Sequence, residues 1–125
     1  MTRKVLVVDD SETMRAQIGS ALSKFGLGGI FAEDGAEGLN QFLTHDDIAL
    51  AFVDVTMPKL DGVTMLEMAG AALAKLGRTL PPVIMVTTEN TNTMVERGKK
   101  AGARGWVVKP MSHEVLAGIM AKFFS

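Results

Sequence analysis

Apolar positions fall into two alternating patterns: short unbroken runs, and longer stretches in which they recur every three or four residues. The runs read as strands buried on both faces of a parallel sheet, the stretches as amphipathic helices laid over it. Lys4 to Val8 is the first strand. From Ser11 onward, Met14, Ile18, Leu22 and Phe25 form one helical stripe, which Gly26 and Gly28 end. Gly29 to Ala32 is a weaker strand, nearer an edge. Asp34 and Glu37 have capping-box spacing, with aspartate in the cap role, ahead of a helix burying Leu39, Phe42 and Leu43. Leu50 to Val53 is the third strand. Val63 to Lys75 follows as a helix with Leu66, Ala69, Leu73 and Leu76 on one face, and Gly77 to Pro82 is its exit loop. Val83 to Val86 is the fourth strand. The next helix, Thr91 to Ala101, is the least stable, because Asn90, Thr91, Asn92 and Thr93 are poor interior helix residues and Gly98 lies inside it. Gly105 to Val108 is the last strand, and Ser112 caps a helix burying Leu116, Ile119, Met120 and Phe123.

Strand and helix alternate five times, and right-handed crossovers turn that alternation into an α/β fold. The expected architecture is flavodoxin-like: a doubly wound five-stranded parallel sheet, order 2-1-3-4-5, with helices on both faces. With 125 residues, 47% of them hydrophobic and 22% charged, the chain fits one domain with a sizeable core. A net charge of -1 argues against a sequence-blind nucleic-acid binder, which needs a basic face. The absence of cysteine excludes disulfides and thiolate metal sites. Met1 to Lys4 leads straight into a strand-length run, too short for a signal peptide or a membrane span, so a cytoplasmic protein without membrane contact is expected.

In an open parallel sheet, ligand sites lie beyond the carboxyl ends of the strands, and here those ends carry the chemistry. The first strand stops at Asp9 and Asp10, the third at Asp54, the fourth at Thr87 and Thr88, and the fifth at Lys109 and Pro110. Three carboxylates, a hydroxyl and an ammonium would meet on one rim. Such a set suits phosphoryl transfer, which needs an in-line nucleophile and cations to neutralise the transferred oxygens. Asp54 is the candidate nucleophile, and Asp9 and Asp10 are hard ligands suited to Mg2+. An aspartate after a strand is more often only a turn former or cap, and that reading is taken for Asp34 and Asp61. His45 and His113 read as surface residues. Most of the nine methionines read as core filler, with Met57 and Met111 the exceptions beside the site.

Asp9-Asp10, Asp54 within D-x-x-M-P-x-x-D-G, Thr87, and the run from Ala101 to Pro110 together resemble the receiver domain of two-component response regulators. The likeness covers nearly the whole chain, residues 1–125 as one phosphoacceptor domain, and is nearest to the stand-alone chemotaxis type. It implies that Asp54 accepts a phosphoryl group from a histidine kinase or a histidine phosphotransfer protein. It further implies Mg2+ held by Asp10 and Asp54, with Asp9 acting through water and the Thr56 backbone carbonyl completing the set. Lys109 and the Thr87 hydroxyl would meet phosphoryl oxygens, and a cis Lys109-Pro110 bond would aim the lysine. The implied protein is a monomeric signalling module, not an enzyme, with a downstream target such as a flagellar motor switch component.

The chain departs from the family pattern in places. Trp106 stands where many members carry tyrosine or phenylalanine, and is a candidate switch residue together with Thr87. Thr56 and Glu89 occupy positions that in the family tune phosphoryl lifetime. Met111 stands where phenylalanine often follows the Lys-Pro pair. Other readings are a phosphorelay intermediate, an aspartyl-phosphate phosphatase echoed by the run Asp9 to Thr13, and a flavodoxin-like cofactor binder. Against the last, Asp9 and Asp10 would repel a bound phosphate.

Overall fold

The computed structural model describes residues 3–57, 59–88 and 92–124. Strands β1 (Lys4–Val8), β2 (Gly28–Ala32), β3 (Ile48–Asp54), β4 (Val83–Thr87) and β5 (Gly105–Val108) form one parallel sheet in the order β2-β1-β3-β4-β5. Helices α1 (Glu12–Lys24), α2 (Gly35–Thr44), α3 (Gly62–Lys75), α4 (Asn92–Lys100) and α5 (His113–Phe124) occupy the crossovers and the C-terminal end. The period of two along each central strand divides the core. Val5, Val7, Leu50, Phe52, Ile84 and Val86 pack under α1 and α5 with Met14, Ile18, Leu22, Leu116 and Met120. Leu6, Val8, Ala51, Val53, Val83 and Met85 face the other way, against Phe42 of α2 and Val63, Leu66 and Ala69 of α3.

The helix starts follow the caps expected. Ser11 accepts from the Met14 N–H at 3.2 Å, Asp34 from Glu37 at 2.8 Å, Asp61 from Thr64 at 2.9 Å and Ser112 from Val115 at 3.1 Å. Two helix ends come earlier than the apolar periodicity predicts. Phe25 and Leu76 do not complete their stripes; each is the C-cap residue of its helix, 44% and 60% exposed, just before a glycine with φ near +70°. Those glycines, Gly26 and Gly77, turn the chain out of the helix before the next apolar position can reach the core. Gly28, read from sequence as part of the helix stop, is the first residue of β2. The expected start of the fourth helix at Thr91 lies outside the described residues, and α4 is described from Asn92.

One close approach sets the shape of the β3–α3 loop. The Gly62 N–H donates to the Val55 carbonyl at 2.8 Å, and a Cβ on Gly62 would lie 2.1 Å from the Asp54 carbonyl oxygen. Only glycine lets the start of α3 come so near the end of β3. Gly62→Ala should therefore lower unfolding free energy by at least about 3 kcal/mol, because the obstacle is backbone and cannot rotate away. Gly70→Ala, in the middle of the same helix with nothing within 4 Å of the added carbon, should raise it by about 1 kcal/mol. Urea denaturation of the two variants checks the pair, and equal effects would show that the Gly62 contact does not constrain the loop.

Candidate functional site

Register brings the strand ends together. Val8 pairs with Val53 and Asp54 with Val86, so Asp9 and Asp54 leave neighbouring strands at the same height. Thr87 pairs with Val108, and the Lys109 N–H that follows donates to the Thr87 carbonyl at 2.6 Å. One carboxylate oxygen each from Asp9, Asp10 and Asp54 lies within 4.8 Å of the others. Asp9 and Asp54 are buried, at 2% and 4% exposure, whereas Asp10 is exposed. The Lys109 ammonium sits 3.1 Å from Asp9 Oδ2 and 3.3 Å from Asp54 Oδ2, and the Lys109-Pro110 bond is cis.

Hydrogen bonds hold the acids unequally. The Asp9 N–H donates to the Ala32 carbonyl at 3.0 Å, and its Oδ1 accepts from the Ser11 N–H at 2.8 Å. Its carbonyl accepts from Arg15 Nη1 at 2.5 Å, and its Oδ2 faces Lys109. Asp9 is thus tied through main chain and side chain alike. Asp54 Oδ1 accepts from the Thr56 N–H at 3.3 Å. Among the described residues, the Asp10 side chain has neither a hydrogen bond nor an ion pair, and is the carboxylate free to meet a ligand.

Burial pushes the Asp54 carboxyl up from its ordinary 3.8 to about 6, and the Asp9 charge adds to it. The Lys109 ammonium and the Thr56 N–H pull it partway back. For Lys109, burial favours the neutral amine, but the charges of Asp54 and Asp9 and their hydrogen bonds outweigh it and hold its pKa above the ordinary 10.5. The donor set is oxygen only, two buried carboxylates and one exposed. That chemistry fits a hard divalent cation arriving from solvent, and the three carboxylates are close enough together to hold one.

The remaining sequence candidates divide. Thr87 is buried at 1% exposure on this rim, Thr88 beside it is exposed, and Thr56 is exposed with its main chain against Asp54. Trp106 is half-buried, one strand away. Its Cζ3 would come within 2.6 Å of a Cβ on Gly98 of α4, so glycine there makes the seat for the indole. Its Nε1–H is buried with no hydrogen-bond partner among the described residues. Met57 and Met111, placed beside the site by sequence, are both buried; Met111 packs with α1 and α5 and also lines the groove beside Lys109. Asp34 and Asp61 are caps. His113 is exposed, but His45 is half-buried, with its carbonyl accepting from Arg78 Nη2 at 2.8 Å. Glu89 lies outside the described residues.

Sequence reasoning missed Arg15, which reads as one more solvated helix residue until the turn after β1 folds back onto it. A signal was there: a cation within two turns of an acidic pair, on the helix that the pair introduces. It also missed Arg97, whose Nη2 reaches Glu67 Oε1 at 2.9 Å and the Thr64 hydroxyl at 3.4 Å and so links α4 to α3.

The raised Asp54 pKa predicts a pH dependence. The folded state holds this proton more tightly than the unfolded chain, so the stability it contributes is complete below about pH 3.8 and is lost as pH rises through about 6. The Asp34 and Asp61 caps run the other way. Glu37's N–H holds Asp34 low, and for Asp61 burial is outweighed by its Thr64 bonds, so both lose stability on acidification. In metal-free protein at low salt, Asp54→Asn should melt higher than wild type at pH 7 to 8, with the gap closing toward pH 4. A gap that stays constant across that range would mean Asp54 is not strained.

The family model described as response regulator receiver domain matches residues 5–121. A chemotaxis protein CheY homolog from Campylobacter jejuni is 36% identical over 114 residues, covering 90% of this chain and 85% of the relative. Chemotaxis protein CheY1 from Helicobacter pylori is 34% identical over 116 residues, covering 90% of each. Among solved structures, Vibrio cholerae CheY4 superposes with a TM-score of 0.86 at 29% identity, over 99% of this chain and 100% of that one. CheY in the CheX-CheY-BeF3-Mg2+ complex from Borrelia burgdorferi gives 0.83 at 29% identity, over 98% and 90%. No helix among the described residues is long and apolar enough to cross a membrane. An acid cluster at the carboxyl ends of a sheet ordered 2-1-3-4-5, with these relatives, places the chain in the response regulator receiver domain family.

Proposed function

We propose that the chain, residues 1–125, works as one receiver domain that changes a protein-binding face when Asp54 takes a phosphoryl group. The donor is phosphohistidine on a histidine kinase or histidine phosphotransfer protein. A carboxylate oxygen of Asp54 attacks phosphorus, the phosphorus–nitrogen bond breaks with its electron pair passing to the imidazole, and an aspartyl phosphate forms. Asp10 and Asp54 would hold Mg2+, with Asp9 acting through water and the Thr56 carbonyl completing the set; the bound ion neutralises charge on the transferred oxygens. Lys109 supplies a point charge to one phosphoryl oxygen and the Thr87 hydroxyl donates to another.

The observation that carries this reading is the meeting of three carboxylates within 4.8 Å beside a lysine that touches two of them. A groove of about 300 Å³ beside Lys109, lined by Thr13, Gln17, Thr88 and Met111 among others, supports access for a partner's histidine. The Borrelia burgdorferi relative solved with BeF3 and Mg2+ supports the choice of metal. The likeness to chemotaxis proteins of Campylobacter jejuni and Helicobacter pylori supports a chemotaxis output, with a flagellar motor switch component as the kind of target. The face made by α4, β5 and α5 would read the signal: Thr87 moves toward the phosphoryl group and the Trp106 indole responds.

Incubation with acetyl phosphate and Mg2+, followed by intact mass, should give one phosphoryl adduct in wild type and none in Asp54→Asn. An undiminished adduct in the variant would move the acceptor elsewhere. Trp106 is the chain's only tryptophan, so emission reports its face directly. Emission should change as the adduct forms, and Thr87→Ala should blunt that change while the adduct persists. A constant spectrum during adduct formation would leave Trp106 a passive contact residue.

A further inference from the structure

Asp9 and Asp10 are neighbours in sequence with opposite surroundings. Asp9 is buried and tied at its N–H, its carbonyl and both carboxylate oxygens. Asp10 is exposed, and among the described residues nothing holds its side chain. What fixes the arc its carboxylate can reach is therefore the Cα–Cβ direction, which its backbone sets. The Asp9 carbonyl and the Asp10 N–H belong to one planar peptide, so whatever fixes that carbonyl fixes the plane from which Asp10 departs.

The group that fixes it is Arg15, through Nη1 at 2.5 Å. Arg15 is half-buried in the second turn of α1, and its own N–H donates to the Ser11 carbonyl at 3.1 Å. The Ser11 N–H in turn donates to Asp9 Oδ1. The turn between β1 and α1 is thus clamped from the helix side at the Asp9 carbonyl and from the loop side at the Asp9 carboxylate. We propose that Arg15 is a positioning residue for the cation site: by holding the Asp9 carbonyl it orients the Asp9–Asp10 peptide and aims the Asp10 carboxylate at the ion. This rests on the reading of the acid cluster as a Mg2+ site.

A plainer role for Arg15 makes the opposite prediction. If it only offsets the charge of the acids, it also repels an arriving cation, and its removal should tighten Mg2+ binding. If it positions Asp10, its removal should loosen binding, as loss of an outer partner of a metal ligand does.

Isothermal titration of Mg2+ into the metal-free full chain separates the two. Arg15→Gln should bind roughly tenfold more weakly than wild type. Arg15→Lys, which keeps the charge and one donor, should recover most of that loss. Far-UV spectra and melting curves should show all variants folded. An Arg15→Gln variant that binds as tightly as wild type or tighter overturns the inference, and so does an Arg15→Lys variant no better than Gln. Asp10→Asn distinguishes the two levels of failure. Wild type without saturable Mg2+ binding, or Asp10→Asn binding as well as wild type, overturns the cation reading together with this inference. Wild-type binding lost in Asp10→Asn but undiminished in Arg15→Gln overturns the role of Arg15 alone.

Discussion

The structure turns on the repulsion between acids that the sheet forces together. Unit charges at 4.8 Å repel by about 3 kcal/mol at an effective dielectric near 20, and three carboxylates make three such pairs. Lys109 offsets this for Asp9 and Asp54, which it touches, but Asp10 has no ion-pair partner among the described residues. One ammonium cannot balance three anions, so the metal-free rim holds an excess of negative charge in a partly buried place. That excess suits the rim to a hard cation.

The surrounding elements are arranged to bear this cost without relaxing it. Asp9 cannot swing away because its hydrogen-bonding groups are engaged by Ala32, Ser11, Arg15 and Lys109. Asp54 closes β3, where the approach of Gly62 pins the loop behind it. Lys109 is carried by the end of β5, tied to the Thr87 carbonyl. Rigid strands on both sides of the cluster keep the charges near one another, and the one exposed carboxylate provides the opening.

The same rim connects to the elements beyond it. Thr87 lies between the acids and Trp106, whose indole is seated on Gly98 of α4. The residue before Gly98, Arg97, reaches α3 through Glu67 and Thr64, and Thr64 donates its hydroxyl to the Asp61 cap at 2.7 Å. α4 is therefore held on two sides by adjacent residues. The β3–α3 turn, through Asp61 and Thr64, and β5, through Trp106, thus both bear on that one helix.

While the strand order came from the likeness to a known doubly wound architecture, the alternation of runs and stripes sufficed for element type and the set of strand-end residues. The physical reason is that a central parallel strand must be apolar on both faces, so the first polar residue after it marks the rim. Asp9, Asp10, Asp54, Thr87 and Lys109 were legible in this way because the fold has only one carboxyl edge on which to place them. Helix ends were less legible: Phe25 and Leu76 continue the periodicity, but whether the last apolar residue reaches the core depends on where the following glycine turns the chain. Methionine is equally at home beside a site and in a core, and only packing put Met57 and Met111 in the interior. Tertiary structure alone decided the distances between the acids, the unequal burial of Asp9 and Asp10, and the part of Arg15, whose partner is a backbone carbonyl. The spacing of Arg15 from the acidic pair marks it as a candidate, but a carbonyl carries no side-chain signature, so the bond itself comes into being only when the turn is folded.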